Sequence, residues 1–418
     1  MNRIDLQHKM RIVTIYHPMT GGVYSVVLAM RRALADAGVD LTWLAAGKSL
    51  SGEIRKTANG DDFSFGAIIA TQTDDDGERA RSLVDYITES GASVVVLHAL
   101  TGPVEMNIAR YLPPTVRRVL IVHTITVATY QAARAVRDWV HAAVCVSPRI
   151  ADDLVKQCGY DPAWTVVIPN GLDVDGFRAK TEKTYRGPLR VLSLGRVDHS
   201  SKGVLWIPEI IGRALAAGVE LEITIAGSGP DLLALKRECR RAGIDHRTQF
   251  LGDVERSAVP GIMRSHDVFL FSSIYEGLGI TLIEAMAAGC VPVASRIRGV
   301  TDFIINDGNN GLLFEVGDAG RAAHQLIRLC NDHQLLTRLR LAGESRAQDF
   351  NLSKFGSSYA QLLKRVEDTP RSINLPLPIS SWSLPSGMTP GLRRFLPAGV
   401  KGYLRIARER VRGFCVRL

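Results

Sequence analysis

The sequence predicts an α/β fold of two successive Rossmann-like domains, and three observations predict it. Short β-branched runs alternate with amphipathic helical stretches, the pattern of βαβ units and a parallel sheet. The alternation stops at a polar, turn-rich segment, Thr181-Glu-Lys-Thr-Tyr-Arg-Gly-Pro188, and then restarts. A chain of 418 residues has room for two or three domains at roughly 100–200 residues each. The expected domains are 1–182, 183–369 and a separate tail, 370–418. No sequence repeat relates the two halves.

The elements follow in order. Arg11-Ile-Val-Thr-Ile-Tyr16 reads as a strand, and Val23 to Ala37 as a helix closed by Gly38. Later strands are expected at Leu41–Leu44, Ala67–Ala70, Ser93–Leu97, Val119–Val122, Ala142–Val146 and Thr165–Ile168. Between the second and third lies Gly47 to Phe65, which reads as a long loop. The second series runs Leu189–Leu194, Leu221–Ala226, Thr248–Leu251, Val268–Phe271 and Val291–Ala294. In such sheets ligands bind beyond the carboxyl ends of the strands, so the two domains are expected to face each other across a cleft.

Composition narrows the function. The net charge is +9, but from Pro370 onward there are nine Lys/Arg and one acid, Glu409. The body therefore carries only +1, which argues against nucleic acid as a partner. Six scattered cysteines without a C-x-x-C pair fit a reducing cytosol and argue against a disulfide framework or a zinc knuckle. No apolar run reaches the ~18 residues that span a bilayer. Met1 to Met10 is mixed and polar, without the apolar core of a signal peptide. The expected location is cytoplasmic. Pro370 to Ala398 holds six of the eighteen prolines and reads as a linker or a loose strap. Residues 400–418 turn helical and basic, with Tyr403, Val411 and Phe414 among the apolar positions. That helix suits either the anionic inner face of a membrane, through insertion of its apolar side, or docking on the body.

The chemistry concentrates at Phe271 to Gly289. A strand ends near Phe271, Glu276-Gly277-Leu278-Gly279 makes a turn, and a helix follows to Ala288. The glycines let backbone amides approach a ligand, and the helix start suits a diphosphate. Glu276 and Glu284 are eight residues apart, a rise of about 12 Å if helical. One carboxylate can then serve one end of an extended ligand and the other its far end, with phosphates between; sugar and ribose hydroxyls are good partners, since carboxylates accept several hydrogen bonds. The alternative is a Gly-rich turn with two surface acids. Arg196, a planar fork, and Lys202, a point charge, follow the strand ending at Leu194 and suit phosphate oxygens. Fixed cations there would stabilise a departing diphosphate. His98 and His123 directly follow apolar strands and are expected at the strand ends, both facing the cleft. Asp74-Asp-Asp76 contains the D-x-D pattern of metal-binding transferases, but an acidic solvated loop is the preferred reading, with no metal expected.

These motifs together resemble those of family 4 retaining glycosyltransferases, also called glycosyltransferase group 1, over about residues 10–365. Glu276 to Glu284 resembles the family's E-x7-E element. Gly21-Gly22-Val23 resembles its Gly-rich loop, Ile168-Pro-Asn170-Gly-Leu-Asp173 its I-P-N-G turn, and Leu194-Gly-Arg196 with Lys202-Gly203 its diphosphate pair. Ala226-Gly227-Ser-Gly-Pro230 and Leu251-Gly-Asp-Val254 are similar to its further donor loops. The resemblance implies the GT-B fold and a hexosyltransferase-like enzyme that moves a sugar from a UDP- or GDP-sugar to a glycan or lipid-linked acceptor. It implies retention of configuration, His123 and Glu276 as catalytic residues, and His98 on the acceptor side. Gly21, Gly22, Asn170, Gly227, Val254 and the residues above would bind the donor. No cofactor is implied beyond the donor itself. Ile297-Arg-Gly-Val-Thr-Asp302 departs from the family's G-G-x-P-E, and the tail lies outside the shared pattern. A GT-B-like nucleotide-sugar epimerase or a non-catalytic sugar-nucleotide-binding protein are the alternatives.

Overall fold

The structure, a computed structural model, describes residues 10–16, 18, 22–48, 54, 60–99, 102–178, 185, 187–389, 400, 403–407, 409 and 411. The chain forms two compact units. The first takes residues up to Gly171 and Leu352–Gly391; the second takes Leu172–Asn351 and residues from Leu392 on. This division falls ahead of the polar segment at 181–188, which lies largely outside the described residues.

Among the described residues, the first unit's sheet has seven strands: β1 (Met10–Ile15), β2 (Val39–Ala46), β3 (Gly66–Ile69), β4 (Val94–His98), β5 (Arg117–Val122), β6 (Ala142–Cys145) and β7 (Thr165–Val167). Their order is β3-β2-β1-β4-β5-β6-β7, and every pairing is parallel. All five residues of β4 are buried, as expected of a central strand with both faces covered. The first helix runs Gly22–Leu34. A short 3-10 turn, Ala35–Ala37, extends it, and Gly38 ends it at φ 71°, a left-handed conformation that glycine adopts without strain. Of the loop expected at Gly47 to Phe65, the described part includes a short helix, Gly60–Phe63. Tyr24 hydroxyl donates to Asp62 there at 2.6 Å.

The helix Leu352–Asp368 packs with this first unit. At Gly356 an added Cβ would stand 2.5 Å from the Ala33 carbonyl oxygen, so the two helices approach backbone to backbone. The Pro-rich stretch that follows is fastened rather than loose. Asn374 and Leu377 amides donate to Asp138 and Arg110 carbonyls, each at 2.8 Å. The Trp382 ring lies 4.9 Å from that of Tyr111, and Asn107 Nδ2 donates to the Ser383 carbonyl at 3.0 Å. Proline lacks an N–H, so the residues between the prolines supply the backbone donors.

The second unit's sheet has six strands among the described residues: β8 (Leu189–Leu194), β9 (Leu221–Ala226), β10 (Thr248–Gly252), β11 (Val268–Phe271), β12 (Val291–Arg296) and β13 (Leu312–Glu315). The order is β10-β9-β8-β11-β12-β13, again all parallel. β13 is absent from the sequence reading. It is four residues long and follows a turn at Asp307–Gly311, and the Gly-Asn-Asn-Gly before Leu312 is the signal that could have found it. Aliphatic residues of β8, β9, β11 and β12 pack with those of the helices Ile207–Ala216 and Ala319–Asn331 into one core.

In each sheet the chain starts near the middle, winds outward, and returns to the other side of its first strand. The order reverses between β1 and β4 in one unit, and between β8 and β11 in the other. Such reversals leave a crevice at the carboxyl ends of the two flanking strands, where α/β sheets bind ligands.

Candidate active site

The loops after β8 and β11 carry Lys202 and Glu276. Lys202 Nζ lies 2.5 Å from Glu276 Oε1, and Ser273 Oγ donates to the same oxygen at 2.8 Å. Backbone bonds stitch the loops together: Ile274 N–H to Ser201 carbonyl at 2.7 Å, and Ser272 Oγ–H to Lys202 carbonyl at 2.9 Å. Gly203 makes this contact possible. Its φ is 63°, and a Cβ there would stand 2.2 Å from the Ser272 carbonyl oxygen. The Lys202 and Glu276 side chains are 30% and 14% exposed, so a ligand can reach them. A partly exposed pair contributes on the order of 1 kcal/mol. Lys202 has three N–H donors, so one bond to Glu276 leaves others for phosphate oxygens.

The turn before Lys202 is stiffened by Asp198, which accepts from Ser200 N–H at 3.0 Å and from the Ser200 and Ser201 hydroxyls. Burial opposes ionisation of Asp198, but these hydrogen bonds outweigh it and hold the carboxyl below its usual range. Arg196 is exposed on the same loop. Gly227 has φ 128°, and a Cβ there would stand 2.0 Å from the Gly195 carbonyl oxygen. The loops after β8 and β9 thus touch through bare backbone. Gly227 N–H donates to Gly252 at the end of β10, and Val254 lies partly buried just beyond.

Leu278 is buried and anchors the turn after Glu276; Gly277 precedes it. Gly279, at φ 91°, begins the helix Ile280–Ala287, and no side chain caps that start. Uncapped amides at a helix start attract anions. The helix begins at Ile280, directly after the expected turn, so Glu276 lies outside it and the helical rise of about 12 Å between the two acids does not apply; Glu284 lies about one turn inside, a rise of about 6 Å from Ile280. Burial pushes the Glu284 carboxyl up to about 7, against the opposing pull of Arg256.

In the first unit, His98 ends β4 and is wholly buried. The structure places it behind His123, with His98 Nδ1 2.8 Å from His123 Nε2. His98 therefore presents no surface to an acceptor. His123 is 9% exposed and follows β5. Burial lowers the pKa of His98 well below its usual value, and the nearby His123 adds to this. Burial likewise lowers that of His123 to about 4. Asn170 is buried after β7. Gly22 opens the first helix, while Gly21 lies outside the described residues.

Asp74–Asp76 serves local structure. Asp75 accepts from the Glu78 amide and caps the helix Asp76–Glu89, and Asp74 accepts from Lys48 N–H at 3.2 Å. Among the described residues no group of three His, Cys, Asp or Glu could hold a metal ion. In the divergent 297–302 loop, Asp302 accepts from Gly299 N–H at 2.6 Å. Thr301 Oγ1 donates to the Ser295 carbonyl at 2.7 Å. Both therefore hold the loop's own backbone.

The sequence reading missed the residues that frame the charged pair. Among them are Ser273 and, from the tail, Arg405. Its guanidinium lies 3.9 Å from the centre of the Tyr275 ring and donates to the Ser200 carbonyl at 3.3 Å. Arg298 donates to the carbonyl of Glu409 at 3.1 Å and reaches Glu315 at 3.2 Å. These described tail residues dock on the second unit.

Residues 20–175 match the family described as Glycosyltransferase Family 4, and residues 188–332 match Glycosyl transferases group 1. Together they span most of the chain. The chain belongs to these glycosyltransferases. Among relatives of this family 4 glycosyltransferase is the phosphatidyl-myo-inositol mannosyltransferase of Mycolicibacterium smegmatis. It is 28% identical over 278 residues, 66% of this chain and 68% of the relative. The same enzyme of Mycobacterium leprae is 29% identical over 48% of this chain and 54% of its own length. The glycogen synthase of Mycobacterium tuberculosis is 26% identical over 62% and 63%. The chain thus spans between about half and two thirds of these relatives. A glycosyltransferase from Rickettsia africae superposes with TM-score 0.69 at 16% identity, covering 87% of this chain and all of its own. Anabaena Alr3699/HepE in complex with UDP-glucose does so with TM-score 0.67 at 17% identity, covering 85% and 99%. At these identities the likeness is one of fold, and the fold is GT-B. No described helix is long and apolar enough to cross a membrane.

Proposed function

We propose that this glycosyltransferase moves a sugar from a UDP- or GDP-sugar to a glycan or lipid-linked acceptor, with retention of anomeric configuration and without a metal. The observation that carries the reading is the Lys202–Glu276 contact at the β8/β11 reversal, beside the uncapped helix start at Gly279. A diphosphate on that start gains charge as the glycosidic bond breaks, and Lys202 and Arg196 stabilise it. Glu276 orients sugar hydroxyls. The departing phosphate oxygen takes the acceptor proton as the acceptor oxygen bonds to the same face of the anomeric carbon. His123 positions the sugar. Asp75 caps a helix, Asp74 accepts from Lys48 N–H and Asp76 pairs with Arg79, local roles that support a reading in which side chains supply the positive charge.

The named relatives support a lipid or glycan acceptor, since two are phosphatidyl-myo-inositol mannosyltransferases and one is a glycogen synthase. The solved complexes with UDP-glucose and UDP favour a uridine donor. A cytoplasmic enzyme whose docked tail still presents the exposed Tyr403, Leu404 and Val411 to the anionic inner face of a membrane suits a lipid-linked acceptor.

The test is nucleotide release from UDP-glucose and GDP-mannose, with and without lipid extract or glycan. Acceptor-dependent release with an α-linked product from an α-donor is expected, unchanged by chelator. Sugar inversion without an acceptor, or binding without turnover, overturns the transferase reading. Activity lost in chelator and restored by manganese overturns the metal-free one. Sedimentation with anionic vesicles should fall when 400–418 is removed.

A further inference from the structure

Three buried groups in the first unit form one hydrogen-bonded line. Thr14, on β1, places Oγ1 2.8 Å from His98 Nε2. His98, on β4, places Nδ1 2.8 Å from His123 Nε2. The two imidazoles are nearly parallel, 11° apart with centroids at 5.1 Å. Thr14 and His98 have no exposed surface. They stand on the two strands that flank the β1/β4 reversal. Tyr16 is the further ring beside His98, at 5.4 Å.

A neutral imidazole has one N–H and one bare nitrogen. Burial disfavours the charged form of both rings, so each carries one proton at neutral pH. Only two proton orders then satisfy both contacts. In one, His123 Nε2–H donates to His98 Nδ1, and His98 Nε2–H donates to Thr14 Oγ1. In the other, Thr14 donates to His98 Nε2, and His98 Nδ1–H donates to His123 Nε2. The first keeps both rings in the Nε2–H form, the intrinsically favoured neutral tautomer. The second needs the minor tautomer twice.

We propose that Thr14 and His98 are positioning residues that lock His123 as its Nε2–H tautomer, leaving His123 Nδ1 as a bare acceptor for a substrate hydroxyl. No partner of His123 Nδ1 stands among the described residues. A bare nitrogen accepts from an O–H and repels a phosphate oxygen, which can only accept. The line therefore assigns His123 to the sugar part of a substrate and away from the diphosphate. This rests on the glycosyltransferase reading for its consequence, though not for its proton order.

The test has two arms on the full chain. In ¹⁵N-histidine NMR, His98 and His123 should both show protonated Nε2 and unprotonated Nδ1. The reverse pattern, or a charged ring at pH 7, overturns the proposal. Thr14→Val keeps the shape but removes the acceptor, while Thr14→Ser keeps the acceptor. Thr14→Val should lower kcat/KM about tenfold, the loss of one hydrogen bond's worth of positioning, and broaden the His123 tautomer signal. Thr14→Ser should restore both to near the wild-type values. If Thr14→Val changes neither, the line has no positioning role. If the wild-type chain transfers no sugar, the proposed function fails, while the NMR arm still decides the proton order.

Discussion

Glu284 is an acid poised at neutral pH, because burial lifts its carboxyl from 4.5 to about 7. The sign of the consequence follows from linkage. The unfolded chain ionises first, so the folded state loses stability as pH rises from about 4.5 to about 7. The loss is on the order of 3 kcal/mol at most, and Glu284→Gln should remove it in urea titrations across that range. A ribose donating two hydroxyl hydrogens prefers the ionised carboxylate. Affinity for UDP-glucose or GDP-mannose should therefore rise as pH climbs through about 7 and stay flat in Glu284→Gln, measured by calorimetry. Lys202 and Glu276 are touching partners, so their effects should not add. Lys202→Ala should cut kcat roughly 100-fold, the scale for one transition-state donor. Glu276→Ala should lower turnover more than nucleotide affinity. If both variants lose only nucleotide affinity, the assignment of Glu276 to the sugar is wrong.

At the scale of elements, the loops after β8 and β11 are held together by a glycine. Gly203→Ala meets both a left-handed φ and the Ser272 carbonyl oxygen. Gly218→Ala meets the same kind of φ, 84°, with nothing within 4 Å. The second substitution isolates backbone strain, about 1 kcal/mol. Gly203→Ala should cost clearly more in Tm and also disturb Lys202; equal losses would show that the loops yield freely. The C-terminal segment is the other element at issue. Arg405 rests on Tyr275 and holds the Ser200 carbonyl, on the turns that carry Glu276 and Lys202. Arg405→Ala should raise the donor KM several-fold, about the value of one cation–π contact and one hydrogen bond. An unchanged KM would reduce the contact to simple packing.

For the whole molecule, two parallel sheets each wind out from the middle, and Lys202 and Glu276 stand in the loops at the reversal of the second. Binding slows amide exchange where the ligand or its loops touch. UDP should protect 195–203, 227–229 and 276–284 in hydrogen exchange, with much less change in β1 to β3. Protection centred on the first unit would relocate the donor site. The strap at 370–389 adds a covering to the first unit that no family motif announces, because proline-rich composition looks alike whether a segment is free or bound.

The apolar runs Val94–Leu97 and Val268–Phe271 were enough to mark strands, and the sheet order makes them central, where a strand buried on both faces must be hydrophobic along its length. Glycines at fixed offsets, Gly195, Gly203, Gly227 and Gly279, were legible because each answers a local need for positive φ or close backbone approach. The loops that carry them were legible for that reason. Their partners were not. Thr14 meets His98 from 84 residues away, and Arg405 meets Ser200 from 205, neither with any pattern in the intervening chain. The sequence by itself determined the two α/β halves, the family and the loops that carry charge, all of which follow from local period and turn chemistry. The tertiary structure alone decided that Lys202 pairs with Glu276, that His98 stands behind His123, and that the tail docks beside Tyr275. Such pairings depend on strand order and on which side chains the packed sheet brings face to face.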